Sequence, residues 1–347
     1  MKSILFEGPR KHHLAEVPTP EIGQDEVLVS VDACGLSDAD AARLAPDARS
    51  ESVPVAREIV GRVAAAGPGV KKLKKGDRVA VFRSQPCGEC HFCVRGDEPL
   101  CREYRQADIE PAGFPQFVRV PAGHVPGLLR VPAKVNPLHA TLIEPLASVL
   151  RLVRRLGLGE DDLAVILGLG FTGALLAKVL LAKGISVLCL DTDSQRVRLA
   201  QKLGIEQAYT GKDGRMEHLI LAQSQNRGAD ALIATESVPV AQRLACVRDG
   251  GAVVLFADPP SPAAALLDFE EMYQRELRIL ALTLPAPSDR EEALRWLRDG
   301  LLDASLFARD AVALDKFDEG LRRVLGREVF KAVLLPQRIS SEAAQQA

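Results

Sequence analysis

The chain has 347 residues, 47% of them hydrophobic and 26% charged, with a formal net charge of −2. That balance belongs to a folded chain of about two domains and excludes a disordered tract, a collagen-like repeat and a disulfide miniprotein. With no basic surplus and only 4% aromatic residues, little is available to offset a phosphate backbone or to stack bases, so no nucleic-acid partner is expected.

The N-terminal segment reads as a short charged strand without the apolar core of a signal peptide. The longest uncharged stretch, 163–177, is too short for a bilayer and is interrupted by glycines. A cytoplasmic protein without membrane contact is expected. Short strands are expected at Val27–Val31, Ile59–Val63 and Val79–Val81, separated by turn signals at Pro18-Thr19-Pro20, Gly67-Pro68-Gly69 and Gly76-Asp77. This is the texture of a compact all-β or barrel-like domain. Four of the seven cysteines then follow at C-x2-C-x2-C-x7-C spacing: Cys87, Cys90, Cys93 and Cys101. Four thiolates in one loop suit a closed, structural zinc site with no open position; an iron–sulfur cluster is the alternative.

From residue 149 the pattern changes to strand–helix alternation. A continuous apolar strand, Leu163–Leu167, leads into a helix over Gly173–Lys183. A second strand, Ser186–Leu190, is followed by a helix over Ser194–Leu203 that Gly204 ends. Further strands fall at Ala231–Ile233 and Ala252–Phe256. Repeated βα units point to a doubly wound parallel sheet. Beyond residue 285 come an amphipathic helix, Asp289–Arg298, and a closing strand, Val329–Leu335.

The first βα turn reads Gly168-Leu169-Gly170-Phe171-Thr172-Gly173. In a dinucleotide site the first glycine makes the tight turn and the second admits the pyrophosphate. The third lets helix and strand pack, and the helix N-terminus faces the phosphates. Asp191 ends the next strand at the spacing of a ribose-binding acid, which favours NAD; Arg196 nearby keeps NADP as the minor alternative.

Taken together, these motifs resemble the zinc-type alcohol dehydrogenases of the medium-chain dehydrogenase/reductase superfamily, in the style of the threonine and sorbitol dehydrogenases. Besides the cysteine lobe, the glycine turn and Asp191, the resemblance rests on Gly61 to Gly69, Gly76-Asp77-Arg78-Val79, Glu144-Pro145-Leu146-Ala147, Gly250-Gly251-Ala252-Val253-Val254 and Lys331. It implies a GroES-like β-barrel catalytic domain (1–148, with the zinc lobe at about 87–101, plus 285–347) and a Rossmann coenzyme domain (149–284). It further implies an active site in the cleft between them, one structural zinc per chain, a homodimer or homotetramer, and Lys331 at the cofactor pyrophosphate.

The family's catalytic zinc site does not carry over. Ser37 stands at the ligand cysteine of C-G-x-C-G-T-D and Ala39 at the relay hydroxyl. Arg57 stands at the ligand histidine of G-H-E, so that only Asp40, Glu58 and Glu144 remain. A guanidinium stays protonated and cannot bind a metal. The expectation is therefore that Arg57 pairs with Glu58 and Glu144, supplies the missing positive charge and polarises a substrate oxygen, with Asp40 and Glu58 orienting or moving protons. The expected activity is NAD(H)-dependent hydride transfer on an alcohol–carbonyl pair without catalytic zinc. The alternatives are reduction of a conjugated C=C bond and nucleotide binding without turnover.

Overall fold

A computed structural model describes residues 1–8, 11–44, 56–105, 109–211, 215–236, 240–257 and 268–340. The chain divides into two compact units, Met1–Ala147 with Pro285–Ala347, and Ser148–Leu284. In chain order the first unit contributes β1 (Lys2–Phe6), β2 (His12–Glu16), β3 (Val27–Ser37), β4 (Ile59–Ala66), β5 (Arg78–Val81), β6 (Phe114–Pro115), β7 (Phe117–Val120) and β8 (Leu129–Arg130). The second contributes β9 (Leu163–Leu167), β10 (Ser186–Asp191), β11 (Ala208–Thr210), β12 (Ala229–Ala234), β13 (Val247–Leu255) and β14 (Arg278–Ala281). The returning segment adds β15 (Ala311–Ala313) and β16 (Lys331–Leu335) to the first unit.

The first unit holds a small antiparallel sheet, β2-β1-β6, and a seven-stranded sheet, β15-β16-β3-β4-β5-β8, with β7 also on β3. β3 outruns the expected Val27–Val31 by six residues. Its first half alternates buried and half-buried positions, and its second half, Ala33 to Ser37, is buried throughout. There β16 pairs with it on one side (Lys331 opposite Ser37, Leu334 opposite Cys34) and β4 on the other. A strand covered on both faces loses the period-2 pattern by which it can be found. Val29, Leu36, Ile59, Val79, Phe114, Phe317 and Leu334 join in the core of this unit.

In the second unit six parallel strands run in the order β11-β10-β9-β12-β13-β14. The chain starts in the middle, builds to one side and then to the other, so β9 and β12 flank the switch point where such sheets bind ligands. β9 is fully buried. The next helix, Phe171–Ala182, begins two residues before the expected start because Gly170 is its N-cap. Helix Ser194–Lys202 is capped by Asp193, whose side chain accepts from the Gln195 N–H. It ends as expected at Gly204, in the left-handed conformation with φ +77°. No helix among the described residues is long and apolar enough to cross a membrane.

Candidate functional site

The glycine turn is built for close approach. Gly168 has φ +104°, and a Cβ on Gly173 would lie 2.0 Å from the Gly168 carbonyl oxygen. Thr235, just past β12, donates its hydroxyl to that oxygen at 2.8 Å and pins the turn. The helix that follows has Gly170 at its N-cap, with no side-chain cap from that residue, and its N-terminus is the end at which a dinucleotide phosphate is held in such folds. Phe171 is buried under this turn and Thr172 is half-buried in it. Asp191 is 6% exposed. One carboxylate oxygen accepts from Leu169 N–H and the other from Asp193 N–H, each at 2.7 Å, which ties the end of β10 to the turn. Arg196 lies 3.6 Å from Asp191 and is ion-paired with Glu236, so two carboxylates share it.

In the first unit the four lobe cysteines converge. Their sulfur atoms all lie within 4.8 Å of one another, and no other group of three or more metal-ligating side chains occurs among the described residues. Cys90 and Cys93 sulfurs are 3.5 Å apart, Cys87 and Cys101 3.7 Å, and Cys87 and Cys93 3.8 Å. A tetrahedron of Zn–S bonds near 2.3 Å has sulfurs about 3.8 Å apart, so the set fits zinc. Such a site would tie the loop together and leave no position for a substrate. Tyr104, just beyond the lobe, is fully buried and donates its hydroxyl to the Pro285 carbonyl. It packs rather than facing solvent.

The segment at the altered zinc positions has a structural use. Ser37 ends β3 and caps the helix Asp38–Leu44. The Ser37 hydroxyl accepts from Asp40 N–H (3.3 Å) and donates to the Asp40 carboxylate (2.8 Å), which also accepts from Ser37 N–H (3.4 Å). This is a capping box, with Ser at N-cap and Asp at N3. Asp40 also faces Arg43 at 3.7 Å.

Glu58 and Glu144 do not pair with Arg57. Glu58 is ion-paired with Lys331, which is fully buried and also donates to the Thr141 carbonyl at 3.1 Å. The pair crosses directly over Gly35, where a Cβ would fall 1.8 Å from a Glu58 oxygen. Burial raises the Glu58 carboxyl above its ordinary value; Lys331 and, more weakly, Arg57 oppose this and the Asp40 charge adds to it. Burial also pushes the Cys34 thiol well up, helped by Glu58 and Asp40. Glu144, in the first turn of helix Ile143–Leu156, takes a bidentate pair from Arg290 at 2.7 and 3.2 Å. Arg290 is 2% exposed, bonds the Ser84 carbonyl and hydroxyl, and stacks 4.3 Å from the Phe82 ring centroid. Pro287 opens its helix and Asp289 accepts from Ala286 N–H at 2.7 Å, which fixes the first turn that carries Arg290 inward. Arg57 is half-buried and makes no hydrogen bond or ion pair among the described residues.

Residues 23–132 match the family model described as "Alcohol dehydrogenase GroES-like domain" and 168–299 the one described as "Zinc-binding dehydrogenase". D-altritol 5-dehydrogenase from Agrobacterium fabrum is 31% identical over 81% of this chain and 83% of its own. The chain belongs to the zinc-type medium-chain dehydrogenase/reductase family. An alcohol dehydrogenase from Escherichia coli CFT073 complexed with NADH superposes with TM-score 0.83 at 21% identity, covering 97% of this chain and 99% of that one. A putative zinc-binding dehydrogenase from Sinorhizobium meliloti 1021 bound to NADP gives TM-score 0.80 at 24% identity, over 96% and 99%.

Within this dehydrogenase family the chain is an NAD(P)-dependent, alcohol dehydrogenase-like enzyme with altered ligand positions. Two expectations are corrected by its geometry. Among the described residues Arg57 is not the hub of a network with Glu58 and Glu144: Lys331 and Arg290 hold the ion pairs to those carboxylates, and Arg57 adds only a weaker attraction to Glu58. Lys331 is not a surface contact for a pyrophosphate: its ammonium is sealed between Glu58 and Thr141. The reading of residue types missed Arg290, Ser84, Arg83, Thr235 and Glu236. Only Glu236, two residues past an apolar strand, carried a positional signal.

Proposed function

We propose that this dehydrogenase moves hydride between NAD(H) and an alcohol–carbonyl pair with no zinc at the reacting oxygen. The observation that carries the reading is that each acidic group left at the altered ligand positions has a protein cation as its partner. Asp40 has Arg43, Glu58 has Lys331 and Glu144 has Arg290. A metal ion would have to displace a cation from each carboxylate it used; the three carboxylates do not converge as a ligand set among the described residues, and Ser37 and Arg57 stand where a thiolate and an imidazole are needed. Arg57 remains as the cation available to the substrate. The nicotinamide supplies the hydride chemistry; the chain orients the substrate and stabilises charge. NAD is preferred to NADP on this reading. Arg196 is shared by Asp191 and Glu236, and a 2′-phosphate would meet both carboxylates.

A polyol or simple secondary alcohol is the starting substrate class, on the likeness to the D-altritol enzyme. All seven cysteines are unbridged, which supports a reducing, cytoplasmic setting. A homo-oligomer is part of the reading: β14 pairs only with β13 among the described strands, and Ile279 on it is 41% exposed.

The test is elemental analysis of the purified protein joined to turnover assays with alcohols, polyols, ketones and enones. One zinc per chain, held by the cysteine lobe, with turnover of an alcohol–ketone pair that survives a chelator able to strip exposed zinc, is the expected result. Two zincs per chain, with activity tracking the second, would overturn it.

A further inference from the structure

Among the described residues the charges at the altered site do not balance. The three carboxylates each hold a cation, and two guanidinium groups are left over. Arg83 is 7% exposed. It is held by carbonyl oxygens: Nε donates to Ala56 at 2.6 Å, Nη1 to Ile109 at 2.8 Å and Nη2 to Pro111 at 3.5 Å. No carboxylate within ion-pair distance of it is found among the described residues. Arg57 is the second, half-buried, with no hydrogen bond or ion pair among those residues and only a weak attraction to Glu58, which Lys331 already pairs. The two cations feel each other. Burial lowers Arg83 to about 10; the Cys34 sulfur opposes that and the charge of Arg57 adds to it. Two neighbouring charges of one sign, one of them buried, cost free energy that an added opposite charge relieves. Arg83 also bonds the carbonyl of the residue directly before Arg57, so it fixes the backbone from which Arg57 projects.

We propose that the substrate carries an oxyanion group, a carboxylate or a phosphate, beside its reacting carbon, that Arg57 binds it, and that Arg83 is the positioning residue for Arg57. The inference rests on the alcohol–carbonyl reading above and narrows its substrate class from neutral alcohols to anionic ones. A guanidinium fork matches both groups in geometry and charge. The site's other cations are committed to Asp40, Glu58 and Glu144 and do not compete for the anion. A neutral polyol would bring Arg57 no anion, and sites built around a charged contact discriminate strongly against analogues lacking it.

The experiment uses the full chain saturated with NAD(H) and two matched pairs, 3-hydroxybutyrate against 2-butanol and glycerol 3-phosphate against glycerol. Turnover and calorimetric binding are both read. The anionic member of at least one pair should be favoured about 100-fold or more in kcat/KM. Preference in the first pair identifies a carboxylate, and preference in the second a phosphate. Arg57→Gln should cut the preference below tenfold while Arg57→Lys keeps part of it, with NADH binding unchanged as the folding control. Arg83→Met should raise KM for the anionic member and leave KM for the neutral member alone, a split that a general loss of structure would not give.

Equal turnover of charged and neutral members would overturn the anion site and leave the oxidoreductase reading standing. Anion binding that Arg57→Gln abolishes, without turnover of any pair, would uphold the anion site and overturn the oxidoreductase reading. Failure of both anions to bind the cofactor-loaded protein, or an unchanged preference in Arg57→Gln, would overturn the anion site.

Discussion

Lys331→Met would leave the Glu58 carboxylate buried against an apolar side chain, with its charge uncompensated. Breaking a buried pair from one side costs about 3–5 kcal/mol, whereas replacing both partners by apolar groups is often close to neutral. Lys331→Met is therefore expected to lower unfolding free energy by that amount, and the double variant Lys331→Met/Glu58→Leu to recover most of it. Urea denaturation followed by circular dichroism checks both. A double variant no better than the single one would mean that the pair is not what the lysine supports. Gly35 belongs to the same unit of structure, because any side chain there would collide with Glu58 and Lys331. A residue that reads in the sequence as a motif glycine is thus required by an ion pair whose lysine arrives from the far end of the chain.

Among the elements, β9 and β12 are joined through a carboxylate as well as through their ladder. Asp230, near the start of β12, accepts from the Leu163 N–H at the start of β9 at 2.8 Å and is ion-paired with Arg248 on β13. Burial alone would raise its pKa, but the Arg248 and Leu163 hydrogen bonds outweigh that and the carboxyl is held below its ordinary 3.8. A depressed carboxyl pKa means that the unfolded chain binds the proton more readily. The stabilisation is complete above pH 3.8 and disappears as pH falls through the lower folded-state value. Asp230→Asn should destabilise the protein at neutral pH, with the gap to wild type narrowing only in that acid range. Thermal melts from pH 7 down to pH 3 measure it, and a gap constant with pH would refute the electrostatic account. The pairing joins three neighbouring strands, β9, β12 and β13.

On the scale of the molecule, the parallel sheet of the second unit ends at β14, an edge with Ile279 uncovered; Phe269 and Tyr273, on the helix before it, are 75% and 86% exposed. Open edges with apolar side chains invite pairing with another chain. Light scattering on the eluting protein should return a multiple of the 37.4 kDa chain mass, and Ile279→Lys should shift it toward the monomer. A monomeric wild-type protein at micromolar concentration would end the oligomer reading. The two units also differ in how they are held. The second rests on a sheet of contiguous βα repeats, while the first is closed by strands from both ends of the chain and by a cysteine lobe fitted for zinc.

The amino-acid sequence by itself determined the features whose chemistry is local: the cysteine spacing, the glycine turn with Asp191 after it, the strand–helix alternation and the Gly204 stop. Each depends on residues a few positions apart, and spacing along the chain already encodes their geometry. The partners of the buried charges were decided only by the tertiary structure. Glu144 and Arg290 are 146 residues apart, and Glu58 meets Lys331 only because β16 lies beside β3 and β4 beside its other edge. Residue type predicts that a buried carboxylate needs a cation, but several arginines and lysines could serve. Strand register and helix caps select among them. They selected Lys331 and Arg290 and left Arg57 with no carboxylate at ion-pair distance among the described residues.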